Sequence, residues 1–160
     1  MTDRLFFNLT LVTALGSGLI AGLFFTFSIF LMTALNRLPP AQGIAAMQSI
    51  NTTILNPLFG LVFFGTAAAS IVLAISALRR WGEPGAAWLL AGSVLYLVGA
   101  ILVTIVFNVP RHNALAALDP NSADAASQWA TYVSSWTAWN HLRTVGTLAA
   151  TLSFIMAIRA

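Results

Sequence analysis

Four stretches of apolar residues, each long enough to cross a lipid bilayer, dominate the sequence. They cover about residues 5–35, 57–78, 86–107 and 137–158. A helix of roughly 20 apolar residues spans the hydrocarbon core, and lipid admits only segments whose backbone polar groups are satisfied internally. Charged residues make up 7% of the chain, whereas a soluble domain carries about a quarter. The sequence therefore predicts an all-α, integral membrane fold, a transmembrane four-helix bundle, formed by a single membrane domain over residues 1–160.

Two of the connections between these stretches are long and contain helix signals. In residues 36–56, a moderately polar helix is expected over about 41–54. Asn56 before Pro57 is typical either of a helix start or of a kink in one long helix. In residues 108–124, we expect a helical turn or two, followed by a cap for the last helix at Asn121 or Ser122. Because four spans put both connections on one side, the bundle is predicted to carry two longer, partly helical loops on one membrane face.

The charged residues and the absence of cysteine limit the partners, the sites and the membrane orientation that the protein can have. All seven cations are Arg and only four residues are acidic, so the pI near 10.7 reflects scarce acids and predicts no nucleic-acid partner. No Cys is present, which excludes disulfides, thiolate metal sites and a Cys nucleophile. The first apolar run is too long for a signal peptide and reads as a retained helix. Four Arg lie on the side of the termini and three on the other, so the positive-inside rule favours cytoplasmic termini, in the cytoplasmic membrane if the protein is bacterial.

Small residues suggest where helices could approach one another. Gly18 and Gly22 have the Gly-x-x-x-Gly spacing that allows close packing in lipid, and Gly60 and Gly65 offer small faces on the second span. Plain packing within the bundle is the simpler reading of these glycines, and a homo-oligomer remains open.

The last predicted helix concentrates the polar chemistry of the chain. At about 100° per residue, Trp136, Asn140, Arg143 and Thr147 fall on one stripe with Trp129, whereas His141 lies roughly 120° away. A helix that is polar on two faces cannot contact lipid there, so other parts of the protein or a wet cavity must surround it.

Arg143 is the strongest functional candidate among these residues. A cation at the centre of a membrane helix costs about 2.5–3.5 kcal/mol on insertion scales and is a functional candidate by default. Either it pairs with Asp119, Asp124 or loop carbonyls and pins the third loop, or it holds an anionic or phenolate substrate.

The two histidines, His112 and His141, should lie at the same membrane face. Imidazole suits Fe, Cu and Zn, but two His with few acids make at most a partial metal site. A proton acceptor is the better interpretation of His141, because imidazole titrates near neutral pH. We therefore expect no required cofactor, with Fe, Cu or haem remaining open.

Asparagines are unusually frequent for so apolar a chain, and several map to the same interface. Asn56 has a capping interpretation, and the others can be turn residues or interhelical links. Together with aromatic walls they could instead orient an oxygenated aromatic ligand. The predicted substrate-binding residues are Asn51, Asn108, Arg111, Asn113, Trp136 and Trp139.

These residues form patterns that resemble the anthrone oxygenase-like family of small four-helix membrane proteins. The patterns are Met47-Gln48-x-Ile50-Asn51, Asn56-Pro57-x-Phe59, Asn108-Val109-Pro110-x-x-Asn113-x-Leu115-Ala116 and Trp129-x-x-Tyr132-x-x-x-Trp136-x-x-Trp139-Asn140-His141-x-Arg143. The similarity covers nearly the whole chain, and the last pattern is its most specific part. His112, between Pro110 and Asn113, departs from the expected pattern, which favours His141 for any shared role.

The resemblance implies oxidation of a polyketide anthrone to an anthraquinone with O₂. A pocket of aromatic walls with a few amides, one His and one Arg suits such a flat, weakly acidic substrate. In the resulting hypothesis, His141 accepts the proton from the ring carbon, and Arg143 and Asn140 stabilise the enolate oxygen. The alternative is a non-catalytic membrane module that binds a lipid, a quinone, haem or a protein partner, and a small transporter is a weaker third option.

Overall fold

The computed structural model describes residues 2–160, and the side chains of residues 4–160. Five helices follow one another along the chain: α1 (Thr2–Asn36), α2 (Pro40–Thr53), α3 (Pro57–Arg79), α4 (Ala86–Ala116) and α5 (Ala125–Arg159). No strand occurs in residues 2–160, so the predicted all-α class is confirmed. Helices α1, α3, α4 and α5 are long and apolar enough to cross a membrane.

Two of the long helices contain wider, π-helical turns. In α1 the π turn covers Phe27–Leu31, and in α4 two π stretches cover Leu97–Leu102 and Thr104–Asn108. Such turns are rare and often lie at functional sites. Here they lie in the half of the molecule that carries the long loops.

Helix α4 is longer than the sequence predicted, whereas α5 begins close to its expected start. Helix α4 does not end near residue 107, because the π stretch runs directly into Val109–Ala116 and accommodates Pro110 in the first turn of that segment. Helix α5 begins at Ala125, after Asp124. The predicted caps were wrong, since Asn121 and Ser122 instead form a turn by hydrogen bonding to Asp119.

Helix α5 packs along both α1 and α4, and α3 packs along α4 and α1 on the other side. A close approach of two backbones joins α4 to α5, where a Cβ on Gly99 would lie 3.0 Å from Cα of Gly146. The glycines named from the sequence are not the close contacts. A Cβ on Gly18 would meet only ordinary contacts, and one on Gly22, Gly60 or Gly65 would meet nothing within 4 Å.

Both long connections fold over the same end of the helices, as predicted. Gln48 in α2 donates to the carbonyls of Leu115 (2.8 Å) and Leu118 (3.0 Å), which ties the first loop to the end of α4. The predicted cap at Asn56 is confirmed, because its side-chain oxygen accepts the backbone N–H of Phe59 at 3.0 Å. Helix α2 also contacts α5, so the loops cover one face of the outer half of α5.

Candidate functional site

One face of α5 forms a buried column of aromatic and polar side chains. Three aromatic rings stack in succession along it. The ring centroids are 5.7 Å apart between Trp129 and Tyr132 and 6.3 Å apart between Tyr132 and Trp136. Asn140 and Arg143 continue the column toward the middle of the helix, and all five side chains are buried. The helical spacing that predicted this stripe therefore describes the structure correctly.

The guanidinium of Arg143 lies at the inner end of the column, where only 4% of the residue is exposed. It donates to the hydroxyl of Thr104 (3.2 Å) and to the side-chain oxygen of Asn140 (2.7 Å). Its central carbon lies 4.2 Å from the ring centroid of Phe24 and 5.1 Å from that of Trp136. Helices α1, α4 and α5 thus all contribute to its surroundings.

No carboxylate among the described side chains pairs with Arg143. Across residues 4–160, the only salt bridge joins Arg80 to Glu83, at the opposite end of the helices. The alternative that Arg143 pairs with Asp119 or Asp124 is wrong, since those carboxylates accept hydrogen bonds from their own loop and helix start. The Nε of Arg143 is also buried without a hydrogen-bond partner. The site therefore contains an uncompensated positive charge with one free donor.

Asn140 is fully buried and holds the inner end of the site together. Its amide donates to the carbonyl of Phe24 (2.7 Å) and to the hydroxyl of Ser28 (2.8 Å) on α1. The Ser28 hydroxyl is shared with Thr144 at 2.9 Å. Because Ser28 lies in the π turn of α1 and Thr104 begins a π stretch of α4, the wider turns supply the polar partners of Asn140 and Arg143.

Further buried polar atoms around the column lack partners. Asn108 is completely buried and neither its amide nitrogen nor its oxygen is hydrogen-bonded. The Oη of Tyr132 and the Nε1 of Trp129 are likewise unpaired. A buried polar group left unpaired costs about 1–3 kcal/mol. Several together are typical of a site that takes up water or a ligand.

The two histidines occupy different environments. His112 is half-buried against the column, and its Nε2 accepts the indole N–H of Trp136 at 2.6 Å. His141 is exposed on the outer surface of α5, because five residues separate it from Trp136 and turn it by roughly 140°. The expected convergence of His141 with Arg143 and Asn140 in one pocket is therefore wrong, and His112 alone of the two histidines contacts the column. In the described part of the chain, no group of three or more His, Asp or Glu could hold a metal.

The other predicted binding residues divide between this column and its rim. The ring of Trp139 stacks on Phe107 at 3.5 Å, and Arg111 lies 6.0 Å from the Trp139 ring and donates to Ser135. Asn51 lies beside Tyr132, and Asn113 is exposed. The structure thus brings Asn108 and Trp136 to the column, Arg111, Trp139 and Asn51 to its edge, and leaves Asn113 outside.

Three contributors were missed in the sequence. Phe24 supplies both a ring and a carbonyl, Thr104 supplies a hydroxyl to Arg143, and Ser28 supplies a hydroxyl to Asn140. Thr104 could have been found, because it precedes Asn108 by four residues and so lies on the same face of a helix. No local signal distinguishes Phe24 from the other phenylalanines of α1.

Residues 57–153 match the family model described as anthrone oxygenase. The chain belongs to this family. The matched region of this anthrone oxygenase family member covers α3, α4 and most of α5, and so includes Asn108, His112, Asn140 and Arg143. Phe24, Ser28 and Asn51 precede it. No curated protein and no solved structure matches the chain.

Proposed function

We propose that this protein oxidises a flat phenolic or polyketide-like aromatic with O₂, in the manner of an anthrone becoming an anthraquinone, and that Arg143 holds the ionised oxygen of the substrate. The observation that carries the proposal is a guanidinium that is 4% exposed, lacks an acidic partner among the side chains of residues 4–160 and keeps its Nε unpaired. A buried cation of this kind is expensive in a membrane unless an anion joins it. Membership of the anthrone oxygenase family supports the same chemistry.

The reaction balances without another substrate. Loss of a proton from the ring methylene leaves an electron pair that spreads to the carbonyl oxygen, which becomes an enolate. The electron-rich ring carbon then bonds to O₂, the O–O bond breaks, and water leaves. Anthrone plus O₂ thus gives anthraquinone plus water, with one oxygen atom in each product. Arg143 stabilises the enolate, since donors aimed at developing negative charge in a dry site are strongly stabilising.

The proton acceptor in this proposal is His112. Its Nε2 carries a lone pair, now accepting the Trp136 N–H, and it lies at the column that contains Arg143. Asn108, with both amide atoms unpaired, supplies a further hydrogen-bond partner for the substrate. Asn140 acts as a positioning residue, because its amide is already occupied by α1 and its oxygen orients the guanidinium.

The test is oxygen consumption by the purified protein with an anthrone, measured in phosphatidylcholine nanodiscs. Empty nanodiscs and the Arg143→Met variant give the spontaneous rate. The proposal expects quinone formation well above that background. A wild-type rate equal to that of empty nanodiscs would sink it.

We propose that the oxidation needs no metal or haem, because a ring carbanion can itself reduce O₂. Elemental analysis and the absorption spectrum of the active protein test this point. Stoichiometric Fe or Cu, or a Soret band, together with loss of turnover after its removal, would contradict it.

A second candidate is a non-catalytic membrane module. It is favoured by the hydrogen bonds of Asn140, which join α1 to α5 and could serve folding alone. In that case Asn140→Leu and Arg143→Met would lower thermal stability in detergent, while no anthrone would be turned over by any variant.

We also propose that both termini face the cytoplasm and that the long loops face away from it. The natural absence of Cys makes this testable. A single Cys at Gly82 should react with a membrane-impermeant thiol reagent only from the cytoplasmic side, and one at Asn121 only from the other side. The reverse pattern would overturn the orientation.

A further inference from the structure

One polar residue of α5 lies outside the column, on the outer face of the helix. This outer face consists of Ala138, His141, Val145, Leu148 and Leu152, which are all exposed and recur at spacings of three and four residues. Within residues 4–160, the imidazole of His141 makes no hydrogen bond and no ion pair. Helices α1 and α4 pack along the other sides of α5, so the described part of the chain leaves the outer face uncovered.

The depth of His141 in the membrane follows first from α1. The neighbouring Asn140 is level with Phe24, because its amide donates to the Phe24 carbonyl at 2.7 Å. Ile29 and Phe30 lie five and six residues beyond Phe24, toward the loops, and their side chains are still exposed. At 1.5 Å per residue, the exposed apolar surface of α1 therefore continues about 9 Å beyond the level of His141.

Helix α4 gives a similar depth independently. Gly99 and Gly146 are level, because their backbones are in contact. Val109 lies ten residues beyond Gly99 toward the loops and is exposed, whereas His141 lies only five residues beyond Gly146. The exposed apolar surface of α4 thus continues about 7 Å beyond His141. His141 therefore lies within the hydrocarbon layer and not at its boundary.

An ionisable side chain that faces lipid at this depth needs a polar partner. Such residues are rare in membrane helices, and almost all of them face protein or a water-filled cavity. The long loops and the neighbouring helices enclose the column and leave His141 exposed. Its partner therefore comes from outside the chain and reaches the hydrocarbon layer, which a second membrane-spanning helix can do.

We propose that two copies of this chain pair through the outer faces of their α5 helices, with His141 of each copy at the contact. A second copy in the same membrane orientation presents the same residue at the same depth, and two-fold symmetry places the two side chains together. A neutral imidazole has one donor and one acceptor, so one His141 donates its N–H to the ring nitrogen of the other. Ser134 and Ala138, which are small, exposed and four residues apart, let the two helices approach closely.

This interface does not depend on the proposed oxidation, because His141 lies outside the column and has no role in that reaction. The test is therefore association and not turnover. Protein labelled with a donor or an acceptor dye at Asn121→Cys is mixed in phosphatidylcholine liposomes. Energy transfer between the dyes, measured over a range of protein-to-lipid ratios, gives the dissociation constant of the pair.

Substitutions of His141 give the expected results. His141→Leu should raise the dissociation constant about threefold to thirtyfold, because it removes one hydrogen bond between membrane helices. His141→Asn should stay within about threefold of the wild type, since an amide also has a donor and an acceptor. Neither variant should change the melting temperature of the monomer in detergent, because the imidazole supports no other residue within residues 4–160.

Single cysteines locate the contact, because the chain has none of its own. A disulfide forms only where two Cα atoms approach within about 7 Å. Ala138→Cys lies on the outer face of α5, so oxidation in the membrane should link it into a covalent dimer. Ala68→Cys is the matched control, because Ala68 is an exposed alanine of α3, which packs against α1 and α4. It should remain monomeric.

Three results would overturn the proposal. The first is a wild-type protein that shows no energy transfer above random mixing at any protein-to-lipid ratio, which would leave lipid as the neighbour of His141. The second is an unchanged dissociation constant in His141→Leu. The third is equal cross-linking of Ala68→Cys and Ala138→Cys, which would show random collision.

Discussion

Replacing Arg143 by methionine separates a role in holding substrate from a role in holding helices. The variant removes a buried positive charge. Because such a charge costs about 2.5–3.5 kcal/mol in a membrane helix, its removal stabilises the protein by about that amount. It also loses two interhelical or local hydrogen bonds, each about 0.6 kcal/mol in membranes, and leaves the Asn140 oxygen unpaired, which costs about 1–3 kcal/mol. Methionine keeps sulfur contacts with the rings of Phe24 and Trp136, which replace most of the cation–π attraction.

These opposing contributions nearly cancel, so Arg143→Met should change the free energy of unfolding by less than about 2 kcal/mol. Turnover of an anthrone should nevertheless fall about 100-fold or more, as when an oxyanion donor is removed from other enzymes. Reversible denaturation in mixed detergent gives the first quantity and oxygen consumption the second. Arg79→Met, at an exposed Arg near the opposite end, is the control for loss of charge alone.

Either of two results would contradict this role of Arg143. Turnover within threefold of the wild type would show that Arg143 does not hold the reacting oxygen. A loss of stability greater than about 4 kcal/mol, which is exceptional for one substitution, would show that the guanidinium chiefly joins α1, α4 and α5.

Three further substitutions test separate parts of the account. His112→Ala should lower turnover at least tenfold while His141→Ala leaves it nearly unchanged, and the opposite ranking in oxygen uptake would restore the sequence-based hypothesis for His141. Gly146→Ala should destabilise the protein by about 1–3 kcal/mol, because the added Cβ would overpack against Gly99. The control Gly65→Ala should be neutral or stabilising by up to about 1 kcal/mol. Equal melting temperatures of the two variants would contradict the close helix contact. Gln48→Leu should speed proteolysis within residues 117–124, because it releases the end of α4 from α2. The control is Gln42→Leu, which changes an exposed residue of the same helix. Identical cleavage rates in the two variants would show that the Gln48 hydrogen bonds do not hold the end of α4.

The helical repeat made the column predictable from the sequence. Residues 136, 140 and 143 share one face whatever the neighbouring helices do, and a polar face with Arg143 cannot contact lipid. The covering loops followed from the same requirement. The fold class followed from the length and polarity of the apolar runs, because lipid leaves the backbone so few alternatives.

The choice between the histidines could not be made from sequence in the same way. His141 is adjacent to Asn140 in the chain, but one residue turns the side chain by about 100° and takes it out of the column. His112 reaches the column because α4 continues as a helix beyond Pro110, and that continuation depends on a π stretch that the spacing of apolar residues did not reveal. Partners of Arg143 such as Phe24 come from helix packing, which a single sequence does not encode locally.

The central claim is that the positive charge of Arg143 is kept unpaired in order to hold an anionic oxygen. The most direct measurement is the absorption spectrum of 2-naphthol bound to the protein without O₂, at a pH where free 2-naphthol is neutral. We predict the naphtholate spectrum in the wild type and the neutral spectrum in Arg143→Met. A bound naphthol that is neutral in both proteins would contradict it.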